Sequence, residues 1–157
     1  MSKREDIDYI SVEPSEIEDL VYNKLAIVEV TKELTFDSCH QLKEYLGACA
    51  RLHGHTYKLQ VTIEGELDYK GMVIDFKELN KYLKEELVSD LDHYNLNEKF
   101  FFNTTAENMV VYFFELISKY ITTISNTVNR YLAVKEVKLW ETPTSFASYK
   151  GVTRRWI

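Results

Sequence analysis

The sequence has few of the residues that cross-link or interrupt a small protein. Its 157 residues include two cysteines, two prolines and five glycines. Two cysteines cannot form a disulfide framework, so nothing indicates an oxidising compartment. No apolar run approaches the roughly 20 residues of a membrane-spanning helix, and the charged first 20 residues lack the apolar stretch of a signal peptide. We therefore expect a cytoplasmic protein with no membrane partner.

Basic residues are also fewer than acidic ones. The chain has 19 Lys and Arg residues against 25 Asp and Glu residues, which gives a net charge of −6. Domains that bind nucleic acid are usually basic, so we predict no nucleic-acid partner. Apolar residues, by contrast, are plentiful, because 45% of the chain is hydrophobic and 13% is aromatic. At this length, that composition suits one domain with a sizeable core.

Four segments have the composition or the alternation of β-strands. Residues 25–39 are rich in β-branched and aromatic side chains. After a loop, apolar and polar residues alternate from His55 to Glu64, which predicts a half-buried strand. His55, Tyr57, Leu59, Val61 and Ile63 share its apolar face. Residues 131–141 and 145–150 predict two more strands, separated by a turn at Pro143.

Two helices are predicted between these strand pairs. Asp75 and Glu78 resemble a capping box, and Phe76, Leu79, Leu83 and Leu87 follow at helical spacing through residues 76–90. A second capping box, Thr104-Thr105-Ala106-Glu107, precedes an apolar stripe of Val110, Val111, Phe114, Ile117 and Ile121. The order strand–strand–helix–helix–strand–strand predicts an α+β domain with a four-stranded antiparallel sheet over residues 25–157. We interpret residues 1–24 as an N-terminal extension that is packed on the surface or partly disordered.

Three of the four histidines lie in a pattern typical of a metal site. Residues i and i+2 of a strand share a face, so His53 and His55 can bind the same ion. His40 ends the preceding strand, where a hairpin partner would be close. Three neutral imidazoles suit zinc and leave a fourth position for water or substrate, as in catalytic sites. A His-x-His pair taken alone, however, is more often two unrelated histidines.

The two cysteines have different predicted environments. Cys49 lies in a polar loop four residues before His53, with Arg51 nearby. A cation and a zinc ion would both favour its thiolate form, so it is a candidate fourth ligand, base or nucleophile. Cys39 precedes His40 and would point to the opposite face of the strand. We predict that it belongs to the core, where free cysteines are often found.

Two carboxylates complete the set of candidate residues. Asp92 precedes the fourth histidine, His93, and such a pair can act in general acid/base chemistry. Adjacent Asp-His pairs at helix ends are, however, more often exposed or capping. Glu141 ends the third predicted strand, where it is either an ordinary exposed carboxylate or an acceptor of two hydrogen bonds from an amidine-like edge, as on a pterin.

These motifs together resemble the 6-pyruvoyl-tetrahydropterin synthase family over about residues 25–151. In family order they are Phe36-Asp37-Ser38-Cys39-His40, Cys49-x-x-x-His53-Gly54-His55, Leu91-Asp92-His93-x-Asn95-Leu96, Thr105-x-Glu107-Asn108 and Glu141-Thr142. The resemblance implies the tunnelling fold, in which two helices lie between the strand pairs of a four-stranded antiparallel sheet. It also implies trimers that close a barrel, two trimers stacked as a homohexamer, and a substrate pocket between subunits.

The spacing between Cys49 and His53 distinguishes branches of that family. Cys-x-x-x-His-Gly-His is typical of the bacterial and archaeal 6-carboxy-5,6,7,8-tetrahydropterin synthases of queuosine biosynthesis, whereas eukaryotic 6-pyruvoyl synthases usually have a longer gap. A folate-related branch has a glutamate near the cysteine position. Glu44 lies in this loop, but because Cys49 is present at the short spacing we rank that branch lower.

The resemblance implies a zinc-dependent lyase that acts on 7,8-dihydroneopterin triphosphate. The residues that match the family's motifs are His40, His53 and His55 for Zn²⁺, Cys49, Asp92 and His93 for catalysis, and Glu141, Thr105 and Ala106 for the substrate. Two alternatives stay open. One is a 6-pyruvoyl-type synthase, which eliminates triphosphate from the same substrate, and the other is a non-catalytic zinc-binding subunit.

Overall fold

The structure, a computed structural model, describes residues 13–22 and 26–152, without the side chains of Leu20 and Tyr22. Within the predicted extension it shows one short helix, α1, over Pro14–Tyr22. The rest of that extension, residues 1–12 and 23–24, lies outside the described residues. Among the described helices, none is both long and apolar enough to cross a membrane.

The predicted order of two strands, two helices and two strands is confirmed for the long elements, and a two-residue strand and a four-residue helix lie in addition between the two helices. After α1, the strands are β1 (Ile27–His40), β2 (His53–Glu66), β3 (Tyr94–Asn95), β4 (Leu132–Thr142) and β5 (Ser145–Tyr149). The helices are α2 (Phe76–Lys81), which continues as a π-helical segment over Tyr82–Val88, then α3 (Leu96–Lys99) and α4 (Ala106–Val128). A 3₁₀ turn over Ala48–Ala50 lies in the loop between β1 and β2.

The described sheet has five strands, in the order β3-β1-β2-β4-β5, and not the predicted four. The additional strand, β3, has two residues and runs parallel to β1, pairing Tyr94 with Ser38 and Asn95 with Cys39. The other neighbouring strands are antiparallel, as predicted. A two-residue strand is too short to show a periodic pattern, which explains why the sequence did not reveal it.

The core lies between one face of the sheet and the helices. Helix α4 buries Met109, Val110, Phe113, Phe114, Ile117 and Ile121. The prediction for Val111 was wrong, because this side chain is 40% exposed and the stripe is centred on Met109 and Phe113 instead. Phe76 was also misplaced, since it is 50% exposed at the first position of α2, just after its cap Asp75. From β2, Tyr57, Leu59, Val61 and Ile63 enter the core, as the alternation predicted.

The β1–β2 hairpin positions the candidate site. Its pairing continues without a break from Ile27 opposite Glu66 to His40 opposite His53. Beyond that last pair the chain forms a loop that contains the 3₁₀ turn. The histidine motif therefore lies at one end of a long, rigid ladder.

Candidate metal centre

Strand register brings His40, His53 and His55 together. His40 and His53 are opposite each other in the ladder, and His55 is two residues further along the same face of β2. The ring centroids are separated by 4.7 Å for His40 and His53, 4.8 Å for His53 and His55, and 5.3 Å for His40 and His55. One nitrogen from each ring lies within 4.8 Å of the other two. This spacing allows the three rings to share one ion.

Backbone carbonyls fix the orientation of two of these rings. Nδ1 of buried His40 lies 2.8 Å from the carbonyl oxygen of Thr104, and Nδ1 of His53 lies 2.8 Å from that of Arg51. A carbonyl can only accept, so each Nδ1 is the protonated nitrogen and each Nε2 presents its lone pair. Such contacts from the far side of the ring are typical of metal-binding histidines.

The cluster fits a metal ion such as zinc on two further observations. Nε2 of His40 and Nε2 of His55 are buried and make no hydrogen bond to any residue that the structure describes. Burial lowers the pKa of both imidazoles, against the opposing charge of Glu141, which favours the neutral form that binds metal. Buried nitrogen lone pairs without hydrogen bonds are costly, and a bound cation would satisfy them.

Thr104 is a site residue that sequence reasoning placed in a different role. It was predicted to start the capping box, but the cap of α4 is Thr105, whose side chain accepts from the backbone N–H of Asn108 at 3.3 Å. Thr104 is buried instead against His40, with its Oγ1 3.2 Å from Nδ1. Since Thr104 and His40 are 64 residues apart, no local pattern could show this contact.

Glu141 lies beside the histidines, at the end of β4. Its Oε1 is 3.3 Å from Nε2 of His40 and 3.9 Å from Nε2 of His55. The pairing of β2 with β4 ends at Lys58 and Trp140, and a cavity of about 600 Å³ opens beyond it. Its lining includes His55, Lys58, Trp140, Glu141, Thr142 and Pro143. A small hollow of about 120 Å³ also joins Glu141 to Ala106.

Tyr57 is a further buried residue at this centre that sequence reasoning treated only as core. Its ring lies 5.6 Å from that of His55 and 6.0 Å from that of His40, measured between centroids. Its hydroxyl is buried and has no hydrogen-bond partner in the described part of the chain. Burial, and to a smaller extent the charge of Glu141, raises the pKa of this phenol, so it stays protonated.

His93 lines a second hollow next to the histidine cluster, and Asp92 lies against it. Nδ1 of His93 is 3.0 Å from Oδ1 of Asp92, and both side chains are exposed. Asp37 of β1 holds the pair through its backbone, because its N–H donates to Asp92 Oδ1 at 2.8 Å and its carbonyl accepts from the N–H of His93. His93 adopts a left-handed conformation with φ of 60°, which is uncommon among residues other than glycine, although histidine adopts it more often than most.

This second hollow, of about 440 Å³, is lined by Asp37, Cys39, His55, Thr56, His93 and Tyr94. His55 therefore borders both cavities. The prediction that Cys39 belongs to the core was wrong, since Cys39 is only half-buried and lines this surface hollow. Its Sγ lies 3.8 Å from the carbonyl oxygen of Tyr94, a contact made possible by the unpredicted strand β3.

Cys49 is half-buried in the 3₁₀ turn, and its Sγ is not part of the histidine cluster. The loop around it is fixed by two asparagines that sequence reasoning missed. Asn97 exchanges hydrogen bonds with the backbone of Gln41 at 2.7 and 2.9 Å. Asn103 does the same with Lys43 at 3.1 and 3.3 Å. These contacts hold the loop against the segment that follows β3.

The fold and the site define the chain as an α+β protein with a cluster of three histidines that could hold a metal ion. A family model described as 6-pyruvoyl tetrahydropterin synthase matches residues 29–152. The chain belongs to this family.

The named relatives carry more than one activity. The chain is 35% identical over 147 residues to the 6-carboxy-5,6,7,8-tetrahydropterin synthase of Haemophilus influenzae, with 78% of this chain and 98% of that protein covered. It is 32% identical over 139 residues to the 6-pyruvoyl tetrahydrobiopterin synthase of Drosophila melanogaster, covering 78% and 79%. Among solved structures, the 6-pyruvoyl tetrahydropterin synthase of Caenorhabditis elegans matches with a TM-score of 0.67 at 31% identity, over 81% of this chain and 97% of that one.

Proposed function

We propose that this protein is a zinc-dependent 6-carboxy-5,6,7,8-tetrahydropterin synthase of queuosine biosynthesis. It would convert 7,8-dihydroneopterin triphosphate and one water molecule to 6-carboxytetrahydropterin, acetaldehyde and triphosphate. The observation that carries the proposal is the convergence of three imidazoles, two of which have buried Nε2 atoms without a hydrogen bond, beside a carboxylate and a cavity of about 600 Å³. A cavity of this size suits a small, flat heterocycle with a side chain.

His40, His53 and His55 would hold the metal ion. When bound there, zinc would supply Lewis-acid stabilisation of negative charge on the oxygens of the substrate side chain. Cys49 would take a proton from that side chain as thiolate. His93 would carry further protons between the substrate and solvent, because its ring is exposed and Asp92 orients it.

The pterin ring would be bound by Glu141. A carboxylate can accept two hydrogen bonds from the N–H groups of the pterin's amidine edge, and this carboxylate lies at the border of the large cavity. Backbone groups of Thr105 and Ala106 would assist from the start of α4, since Ala106 shares a small hollow with Glu141. The groups that bind the ring and the side chain would thus be neighbours, since Glu141 lies beside His40 and His55.

The choice of the 6-carboxy product is supported by the short Cys49–His53 spacing and by the Haemophilus influenzae relative, almost all of which the chain covers. The Drosophila melanogaster relative supports the alternative, a 6-pyruvoyl-type elimination of triphosphate from the same substrate. The two reactions differ in whether a two-carbon fragment leaves, so the mass of the product distinguishes them.

The test is to incubate zinc-loaded protein with 7,8-dihydroneopterin triphosphate and identify the products by mass spectrometry. We expect 6-carboxytetrahydropterin together with acetaldehyde. A product that keeps the three-carbon side chain would establish the alternative reaction. Absence of turnover by wild-type protein at full zinc occupancy would contradict both.

We further propose that the protein is a homohexamer. Of the 14 residues of β1, only Ser38 and Cys39 pair with β3 in the described chain, so most of this strand offers an edge to another subunit. Sedimentation equilibrium should give about six times the subunit mass of 18.5 kDa. A monomer that turns over substrate would rule out both the barrel and a pocket shared between subunits.

A further inference from the structure

The position of Glu141 is unusual for a carboxylate whose role is to bind a heterocycle. Its Oε1 lies 3.3 Å from Nε2 of His40 and 3.9 Å from Nε2 of His55. Neighbouring ligands around a tetrahedral zinc ion are about 3.4 Å apart, given metal–ligand distances of roughly 2.0–2.1 Å. Glu141 is therefore near the spacing of a fourth ligand from these two nitrogens. It is not part of the group whose ligand atoms all lie within 4.8 Å of one another, so its side chain would have to move toward His53 to coordinate the same ion.

The contact between Glu141 Oε1 and His40 Nε2 is not an ordinary hydrogen bond. Because the Nδ1 hydrogen of His40 is donated to the carbonyl of Thr104, its Nε2 presents a lone pair. A carboxylate oxygen also presents lone pairs, and Nε2 of His40 accordingly has no hydrogen-bond partner. Two acceptors facing each other repel unless a cation lies between them. A metal ion shared by the imidazoles and the carboxylate removes that repulsion.

We infer that Glu141 is a fourth metal ligand in the pterin-free protein and that it leaves the metal when it binds the pterin ring. This inference rests on the zinc dependence and the pterin substrate of the proposed function. Glu141 is suited to such an exchange, because its side chain is 29% exposed and borders the large cavity, whereas His40 is fully buried. The carboxylate would thus keep the coordination position closed until a substrate enters.

The inference is tested with cobalt in place of zinc, because the visible absorption of Co²⁺ responds to the number and type of its ligands. Glu141→Gln keeps the shape of the side chain and removes its charge. We expect it to weaken zinc binding by about tenfold or more in a chelator competition, and to change the cobalt spectrum. In wild-type protein, saturating unsubstituted pterin, which has no side-chain hydroxyls to bind the metal, should move the cobalt spectrum away from its pterin-free form, a measurement that needs no variant.

Glu107→Gln is the matched control. Glu107 is exposed and lines the same small hollow as Glu141, so its substitution changes the local charge equally. It should leave zinc affinity and the cobalt spectrum unchanged. Unaltered zinc affinity together with an unaltered cobalt spectrum in Glu141→Gln would overturn the inference, as would an equal loss of zinc affinity in Glu107→Gln.

Failure of the inference and failure of the proposed function give different results. If Glu141 is only the ring anchor, Glu141→Gln will bind zinc normally and lose neopterin affinity, so the proposed function would stand without the inference. If the wild-type protein binds no neopterin, the pterin function and the exchange both fall. The metal affinity of Glu141→Gln would then still decide whether Glu141 is a ligand.

Discussion

The histidines of this chain occupy two contrasting environments at the same end of the sheet. His40 is completely buried, and a backbone carbonyl holds its Nδ1 hydrogen. His93 is 77% exposed, and a carboxylate lies against its Nδ1. The first arrangement fixes a neutral ring with its lone pair facing other lone pairs, which suits a metal ion. The second leaves the ring in contact with water and next to a charge, which suits proton transfer. The same side chain thus has different chemistry according to what holds its Nδ1 hydrogen.

The largest effect expected from this contrast concerns zinc content. His53→Ala removes one of three converging ligands and should lower zinc from one per chain to well below that value by elemental analysis. His93→Ala lies outside the cluster and should keep full zinc occupancy, as should Cys49→Ala. Zinc loss in a folded His93→Ala protein would erase the distinction between the two environments. Zinc loss in Cys49→Ala would make that cysteine a primary ligand.

The next largest effect concerns proton transfer by His93, which forms an exposed pair with Asp92. His93→Ala should lower kcat by on the order of 10²–10⁴-fold while pterin still binds, because a general acid/base acts mainly in the transition state. Steady-state kinetics combined with pterin titration by fluorescence separates kcat from binding. Cys49→Ala should follow the same pattern if the thiolate is a base.

Asp90→Asn is the control for the carboxylate in that pair. Asp90 is 85% exposed and its nearest ion-pair partner is Lys99 at 3.7 Å, whereas Asp92 contacts His93. Asp92→Asn should therefore reduce kcat and Asp90→Asn should not. Equal losses would show that a general change of charge, not the contact with His93, causes the effect.

The buried centre was largely predictable from sequence because its geometry follows from strand periodicity. Alternation along β2 placed His53 and His55 on one face, and the end of the preceding strand placed His40 nearby. What the sequence did not reveal was the set of contacts from distant segments, such as the Thr104 carbonyl on His40 and the Asn97 and Asn103 contacts to the loop. These contacts join residues 56 to 64 positions apart, and such pairs leave no local pattern. The exposed pair was predicted as a motif, but its backbone contacts to Asp37, 55 residues away, were not.

A third prediction uses the lowered pKa of His40 and His55. In the folded, zinc-free protein both imidazoles resist protonation because they are buried, whereas in the unfolded chain they titrate near the ordinary imidazole pKa of 6.5. The unfolded state therefore binds more protons below that pH, and stability falls as pH decreases. In chelator-treated protein, the urea midpoint should be lower at pH 5.5 than at pH 7.5. Equal midpoints would mean that the buried rings are readily protonated in the folded state.

The smallest expected effect concerns Tyr57, whose hydroxyl is buried beside the histidines without a hydrogen-bond partner. Leaving a buried hydroxyl unsatisfied costs about 1–3 kcal/mol, so Tyr57→Phe should stabilise the zinc-free protein, by roughly 1 kcal/mol in urea denaturation. Tyr82→Phe is the control, since the Tyr82 hydroxyl donates to the carbonyl of Leu116 at 3.3 Å and its loss should destabilise. The two substitutions delete the same atom, so their opposite signs depend only on whether that atom has a partner. If Tyr57→Phe instead destabilises the protein, the Tyr57 hydroxyl makes a hydrogen bond in the folded state that the described contacts do not include.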